Sequence, residues 1–340
     1  MTSRRSEFLN WIDRGAVEPG HGLRAARVAG ILPDSARWLR FIDGLLLLTG
    51  ALALASGVVF FVAFNWDALG RFGKFALIQA LLLAAVLLYW RLGALRTAGQ
   101  AALLLAAILL GVLLALYGQT YQTGADPWQL FATWALLMLP WAAVGRFAPL
   151  WLLWLLLLNL AATLYYDARF GLLGVAFASK DDLVWLLFLL NSAAWVVWEA
   201  AARRFDWLSL RRWPVRLIAT ASGFAITILV LRSIFDPDSP PAALAWGGFF
   251  LWLGAVYLAY RKRPPGLGTD LYMLAGACLA VIVCVTGFLG WLLIDASASA
   301  AALLLIALLV IAQAGAAAAW LRRVHGVSAA GGSAAEGSAP

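Results

Sequence analysis

Charge is what this sequence has least of. Asp, Glu, Lys and Arg together make up 12% of its 340 residues, while 64% are hydrophobic and 13% aromatic. Soluble domains carry about 25% charged residues, and a soluble chain this apolar would aggregate. Histidine and cysteine are nearly missing, with two of each. His21 and His325 lie in the two polar ends, so no Cys/His zinc constellation can be assembled. Cys278 and Cys284 are six apart in one apolar run, on nearly opposite sides of a helix, and read as small core residues. Also missing are the GxxxxGK[ST] phosphate loop, the GxSxG elbow, the HExxH zinc motif and any glycine-rich loop after a strand. The adjacent Asp181 and Asp182 are too weak a pair to support acid-base chemistry. Neither an enzymatic activity nor a cofactor or metal is expected.

What is present is a series of long apolar runs. Gly44 to Phe64 is uncharged and long enough to cross a bilayer, and polarity returns at once in Asn65-Trp66-Asp67. Nine further runs follow, bounded by charge, Gly or Pro. The ten predicted spans cover 44–64, 75–90, 98–117, 127–144, 147–166, 183–201, 215–231, 242–260, 271–294 and 297–320. The second, sixth and seventh have the shortest uncharged stretches, and Pro140 should kink the fourth. Gly145-Arg146 leaves so little chain that spans four and five must be antiparallel neighbours. The expected fold is all-α, a polytopic membrane bundle (41–322) behind a cytoplasmic helical segment (1–40). A low-complexity tail, 323–340, is expected to be disordered.

The formal charge of +8 does not point to nucleic acid, because the basic residues sit in short clusters between the runs. They report topology. Lys and Arg near span ends favour the cytoplasm. With the N-terminus inside, 20 of the 25 basic residues fall on the inner side, and only Arg71, Lys74, Arg169, Lys180 and Arg232 fall outside. One missed or extra span would scramble every later loop, so ten spans with both termini cytoplasmic is the predicted topology. No apolar stretch follows the early arginines, which argues against a signal peptide. In the preamble, Phe8, Trp11 and Ile12 recur at helical spacing, and Gly15 suits a helix end. Leu23 and Ala26 suggest a second short amphipathic helix carrying Arg24 and Arg27. This pair is expected at the membrane surface, either fixing orientation or contacting anionic lipid or a protein partner.

Under this topology the Asn65-Trp66-Asp67 turn and the loop Tyr117-Gly-Gln119-Thr-Tyr121-Gln122-Thr-Gly-Ala-Asp126-Pro-Trp128 both face outward. The loop is rich in hydrogen-bonding side chains and has no basic residue. Irregular polar backbone near a bilayer is tolerated where it is buried in protein or lines a wet cavity. One reading is therefore an outward-opening site for a small polar or cationic solute, with Asp67 and Asp126 as anionic groups and the Trp and Tyr rings as walls. The other is an aromatic interface belt with ordinary turn residues. Within the spans, Asn159, Asn191 and the other amides read as interhelical hydrogen-bond partners. Glu199 reads as a local partner of Arg203 and Arg204.

The segments GVVFFVAFNWD, YGQTYQTGAD and WALLMLPW, in this order after a helical preamble, resemble the bacterial predicted membrane proteins catalogued as domain of unknown function 2157. The most specific part is Asn65, Trp66 and Asp67; Trp134, Leu139, Pro140 and Trp141 add to it. The resemblance extends over roughly Phe8 to Val144. It implies a bacterial inner-membrane setting and brings no activity, cofactor or catalytic residue. Two functional classes remain: binding or transport of a small polar solute, and a non-transporting scaffold or sensor acting through its basic N-terminal segment.

Overall fold

The computed structural model describes residues 8, 11–12, 14–18, 20–29, 32, 35–65, 68–170, 180–209, 212–236, 242–261, 270–296 and 300–336. All regular structure among them is helical. Among the described residues ten helices are long and apolar enough to cross a membrane. They are α1 (Ser35–Phe64), α2 (Arg71–Leu92), α3 (Thr97–Tyr121), α4 (Pro127–Gly145) and α5 (Ala148–Phe170), then α6 (Lys180–Ala202), α7 (Trp213–Phe235), α8 (Ala242–Arg261), α9 (Leu271–Ala296) and α10 (Ala300–Glu336). Each holds one of the apolar runs, except that Phe147 precedes α5 and 297–299 lie outside the described residues. The three runs with the shortest uncharged stretches form continuous helices, and α4 passes through Pro140 unbroken. The last helix is continuous to Glu336, although the sequence predicts disorder from 323.

The preamble folds as its spacing suggests. Phe8, Trp11 and Ile12 are helical, and Gly15 ends that turn at φ +69°. The Gly15 N–H donates to the Ile12 carbonyl and the Ala16 N–H to the Trp11 carbonyl, the paired bonds of a Schellman end. A second short helix covers Gly22–Val28.

The chain divides into two compact units, residues 36–215 and residues 1–35 with 216–340. The first is organised around α3. Half of its most apolar stretch is buried, and the buried positions include Gly99, Ala101, Ala102, Ala106, Ala107 and Gly111. Small residues let neighbouring helices approach closely, which drives association where lipid removes the hydrophobic incentive. Trp134 of α4 uses that space. Its Nε1–H donates to the Ala107 carbonyl at 2.8 Å, and a Cβ at Gly111 would lie 2.5 Å from its ring. Leu103 and Leu104 of α3, Met138 and Ala142 of α4, and Leu150 and Leu157 of α5 complete this core. Where α4 turns into α5, a side chain at Gly145 would strike Leu103 at 2.7 Å, and Arg146 adopts φ +44° to reverse the chain. Asn191 Nδ2 of α6 donates to Asn159 Oδ1 of α5 at 2.6 Å, so these amides tie two helices as expected.

At the end of α6, Glu199 finds a different partner from the one its sequence neighbours suggest. Arg212 reaches its two oxygens at 2.8 and 3.4 Å, because the short helix Asp206–Ser209 returns the chain towards α6.

In the second unit α7 is the half-buried helix. Trp252 of α8 lies over Gly223 at 2.5 Å from where a Cβ would stand, and Gly287 of α9 admits Leu231 in the same way at 2.6 Å. Arg216 and the buried Asp270 pair at 3.0 Å, with the guanidinium also 5.3 Å from the Tyr272 ring centre. Cys284 is buried and Cys278 half-buried, both as free thiols.

Candidate functional site

The polar end of α1 is closed by Asn65. The Phe61 carbonyl accepts both the Asn65 backbone N–H at 3.0 Å and its side-chain Nδ2 at 2.9 Å, so the side chain adds a second bond at the end of the helical ladder. Asn65 thus acts as a cap, and its own carbonyl then receives the Leu69 N–H at 2.8 Å. Trp66 and Asp67 lie outside the described residues.

At the end of α3, Tyr117 and Tyr121 are one turn apart on the same face, with ring centres 4.8 Å from each other. Phe75 of α2 approaches Tyr121 at 6.1 Å. The Arg71 guanidinium stands 5.8 Å from the Tyr121 centre and 5.1 Å from that of Phe72. The loop has no basic residue of its own, but the start of α2 supplies one. Lys74, close to Arg71 in sequence, is buried and engaged one turn into α2. Arg71, Phe75 and Lys74 are the residues that sequence reasoning missed here. The signal was the spacing: Arg71/Phe75 and Tyr117/Tyr121 are both i, i+4 pairs, which point along one face of each of two adjoining helices.

Gln122 ends α3 in the left-handed conformation, at φ 45° and ψ 50°. Its N–H and that of Thr123 both reach the Gly118 carbonyl. Asp126 is the N-cap residue of α4, followed by Pro127 in the first turn, a position where that residue type and the helix dipole agree. Its carboxylate makes no capping bond. Trp128 packs edge-on against Tyr165 of α5, with ring centres 5.0 Å apart.

The structure therefore brings Tyr117, Tyr121, Arg71 and Phe75 into one cluster and gives Asn65, Gln122 and Asp126 helix-end positions. Tyr117, Gln119, Tyr121, Gln122 and Asp126 are exposed, and Trp128 is half-buried. Tyr117, Gln119, Gln122 and Asp126 make no side-chain hydrogen bond among the described residues. The described cavities are lined by other residues. A guanidinium near Tyr121 already uses that ring's attraction for a cation, which weighs against a cationic solute and leaves a neutral or zwitterionic one. Among the described residues no group of three His, Cys, Asp or Glu could hold a metal ion.

No curated protein and no solved structure matches the chain. Residues 9–151, which take in α1 to α4 and the first turn of α5, match the model of the family described as Predicted membrane protein (DUF2157), the family that the sequence resembles.

Proposed function

We propose that this multi-pass membrane protein binds a small polar solute at the bundle end built from Asn65, Tyr117, Gln119, Tyr121, Gln122, Asp126 and Trp128, with Trp66 and Asp67 contributing. The observation that carries this reading is the set of exposed polar side chains that make no side-chain hydrogen bond among the described residues, beside an aromatic cluster that holds a guanidinium. Water satisfies such groups in the free protein, and a solute with both donors and acceptors replaces it at little cost. In this proposal the site faces outward in a bacterial inner membrane and both termini are cytoplasmic, which the distribution of the 25 basic residues supports.

The test is a thermal-shift screen of the detergent-purified protein against neutral and zwitterionic metabolites, repeated on Asp126→Asn and Tyr121→Ala. A ligand at one hundred times its dissociation constant stabilises the fold by about 2.7 kcal/mol. A compound that shifts the parent and neither variant supports the site. Equal shifts in all three, or none in the parent, remove it.

A second reading rests on the preamble. In the helix Gly22–Val28, Leu23 and Val28 are 72% and 86% exposed, and Arg24 and Arg27 are exposed as well. Exposed apolar residues combined with arginines suit a helix lying in the bilayer interface against anionic headgroups. On this reading the protein is a scaffold or sensor that acts through residues 1–40. Deleting that segment then abolishes its phenotype, while Asp126→Asn leaves the phenotype intact.

A further inference from the structure

At the other end of α3, three chain reversals in unit 36–215 enclose a cavity of about 270 Å³. Gln100 comes from the first turn of α3, Arg146 from the α4–α5 turn, Trp198 from the end of α6, Trp207 from the short helix Asp206–Ser209 and Trp213 from the start of α7. Gln100 and Tyr117 are 17 positions apart on one helix, so this cavity is about 26 Å from the polar end discussed above.

Its chemistry is one-sided. Arginine and tryptophan side chains only donate hydrogen bonds, and four of the five side chains named here are of these types. The exception is Gln100, whose Nε2 donates to the Ala94 carbonyl at 2.9 Å and whose Oε1 is the one acceptor among the five. The Trp198 Nε1–H is buried and has no hydrogen-bond partner among the described residues, and such a donor costs free energy until an acceptor reaches it. No Asp or Glu is among the described residues that line the cavity. Glu199, next to Trp198 in sequence, is already paired with Arg212. Indole edges carry positive and faces negative electrostatic potential, so an anionic group suits the ring edges and the guanidinium, and an apolar body suits the ring faces. The volume, near the lower end for ligand pockets, limits that body to a compact one.

We infer that this cavity is a binding site for a compact oxyanion, a carboxylate or phosphate group on a small apolar body, held by Arg146 and the indole N–H groups. The same chemistry is offered by a free organic anion and by an anionic phospholipid headgroup, because basic pockets between membrane helices also take headgroups.

The experiment uses the full chain purified in a neutral detergent and titrated with benzoate and glycerol 3-phosphate. In parallel it is placed in nanodiscs of phosphatidylcholine with and without phosphatidylglycerol, with melting temperature as the readout. The variants are Arg146→Gln and Trp198→Phe. Glutamine already holds φ 45° at position 122, so it suits the φ of 44° at position 146. Phenylalanine keeps a ring and removes the donor. Stabilisation by a soluble anion, with about tenfold more needed by each variant, establishes a site for a free anion. Stabilisation only by phosphatidylglycerol, lost in the same variants, establishes a headgroup site. If no anion or anionic lipid raises the melting temperature of the parent, or if the variants respond as the parent does, the inference is overturned. Should either variant melt early without ligand, Trp213→Phe takes its place in the comparison.

Discussion

Adding one methyl group at Gly111 places a carbon 2.5 Å from the Trp134 ring, and the indole cannot retreat without giving up its bond to the Ala107 carbonyl. Gly111→Ala is expected to lower stability by about 1–3 kcal/mol, read as a fall in melting temperature in detergent. Gly57→Ala is its control, because a carbon added there meets nothing within 4 Å. The amide pair behaves differently. Asn191→Leu removes a 2.6 Å bond, yet Asn159 keeps its 2.8 Å bond to the Leu155 carbonyl, so the expected cost is about 0.6 kcal/mol. That both amides are interhelical partners was legible, since a polar residue inside an apolar run must find one. Which amide meets which was not, because the two are 32 positions apart. Glu199 shows the converse. Two arginines within a turn looked sufficient, and the returning chain supplied Arg212 instead.

Helix existence was legible for every span, and helix ends were less so. Hydropathy reports which residues sit in hydrocarbon, whereas helix ends follow the hydrogen-bond ladder. α2 starts at Arg71 rather than Phe75, and α3 runs on to Tyr121 rather than stopping at Tyr117. Long or aromatic side chains at these ends let the helix continue past the apolar core while their polar groups reach water. The end of α3 gives a prediction that separates structure from binding. A non-glycine residue in the left-handed region is strained by roughly 1–2 kcal/mol, part of which glycine returns through the greater freedom of its unfolded chain. Gln122→Gly should therefore stabilise the protein by about 0.5–1 kcal/mol, measured by thermal unfolding. If the proposed solute site uses the Gln122 side chain, the same variant becomes more stable while binding the solute more weakly.

For the whole molecule, the sequence carried the number of spans, because ten runs and one regular alternation of charge agree. It did not carry the grouping of helices into residues 36–215 and 216–340, which depends on small residues such as Gly111 and Gly223 meeting particular tryptophans. The alternation predicts sidedness. With Cys278 and Cys284 replaced by alanine, Ala125→Cys should react with an impermeant maleimide in intact cells, and Arg204→Cys only once the membrane is breached. The opposite pattern inverts the topology. The last span adds one more consequence. The most apolar stretch of α10 has a mean hydropathy of 2.4, and none of its residues is buried within the protein. Its insertion during biogenesis thus draws on partition from the translocon into lipid rather than on rescue by neighbouring helices. A chain truncated after residue 296 should still assemble its first nine spans. With an odd number of crossings, a reporter fused at that point would be delivered to the opposite side of the membrane from one fused at residue 336.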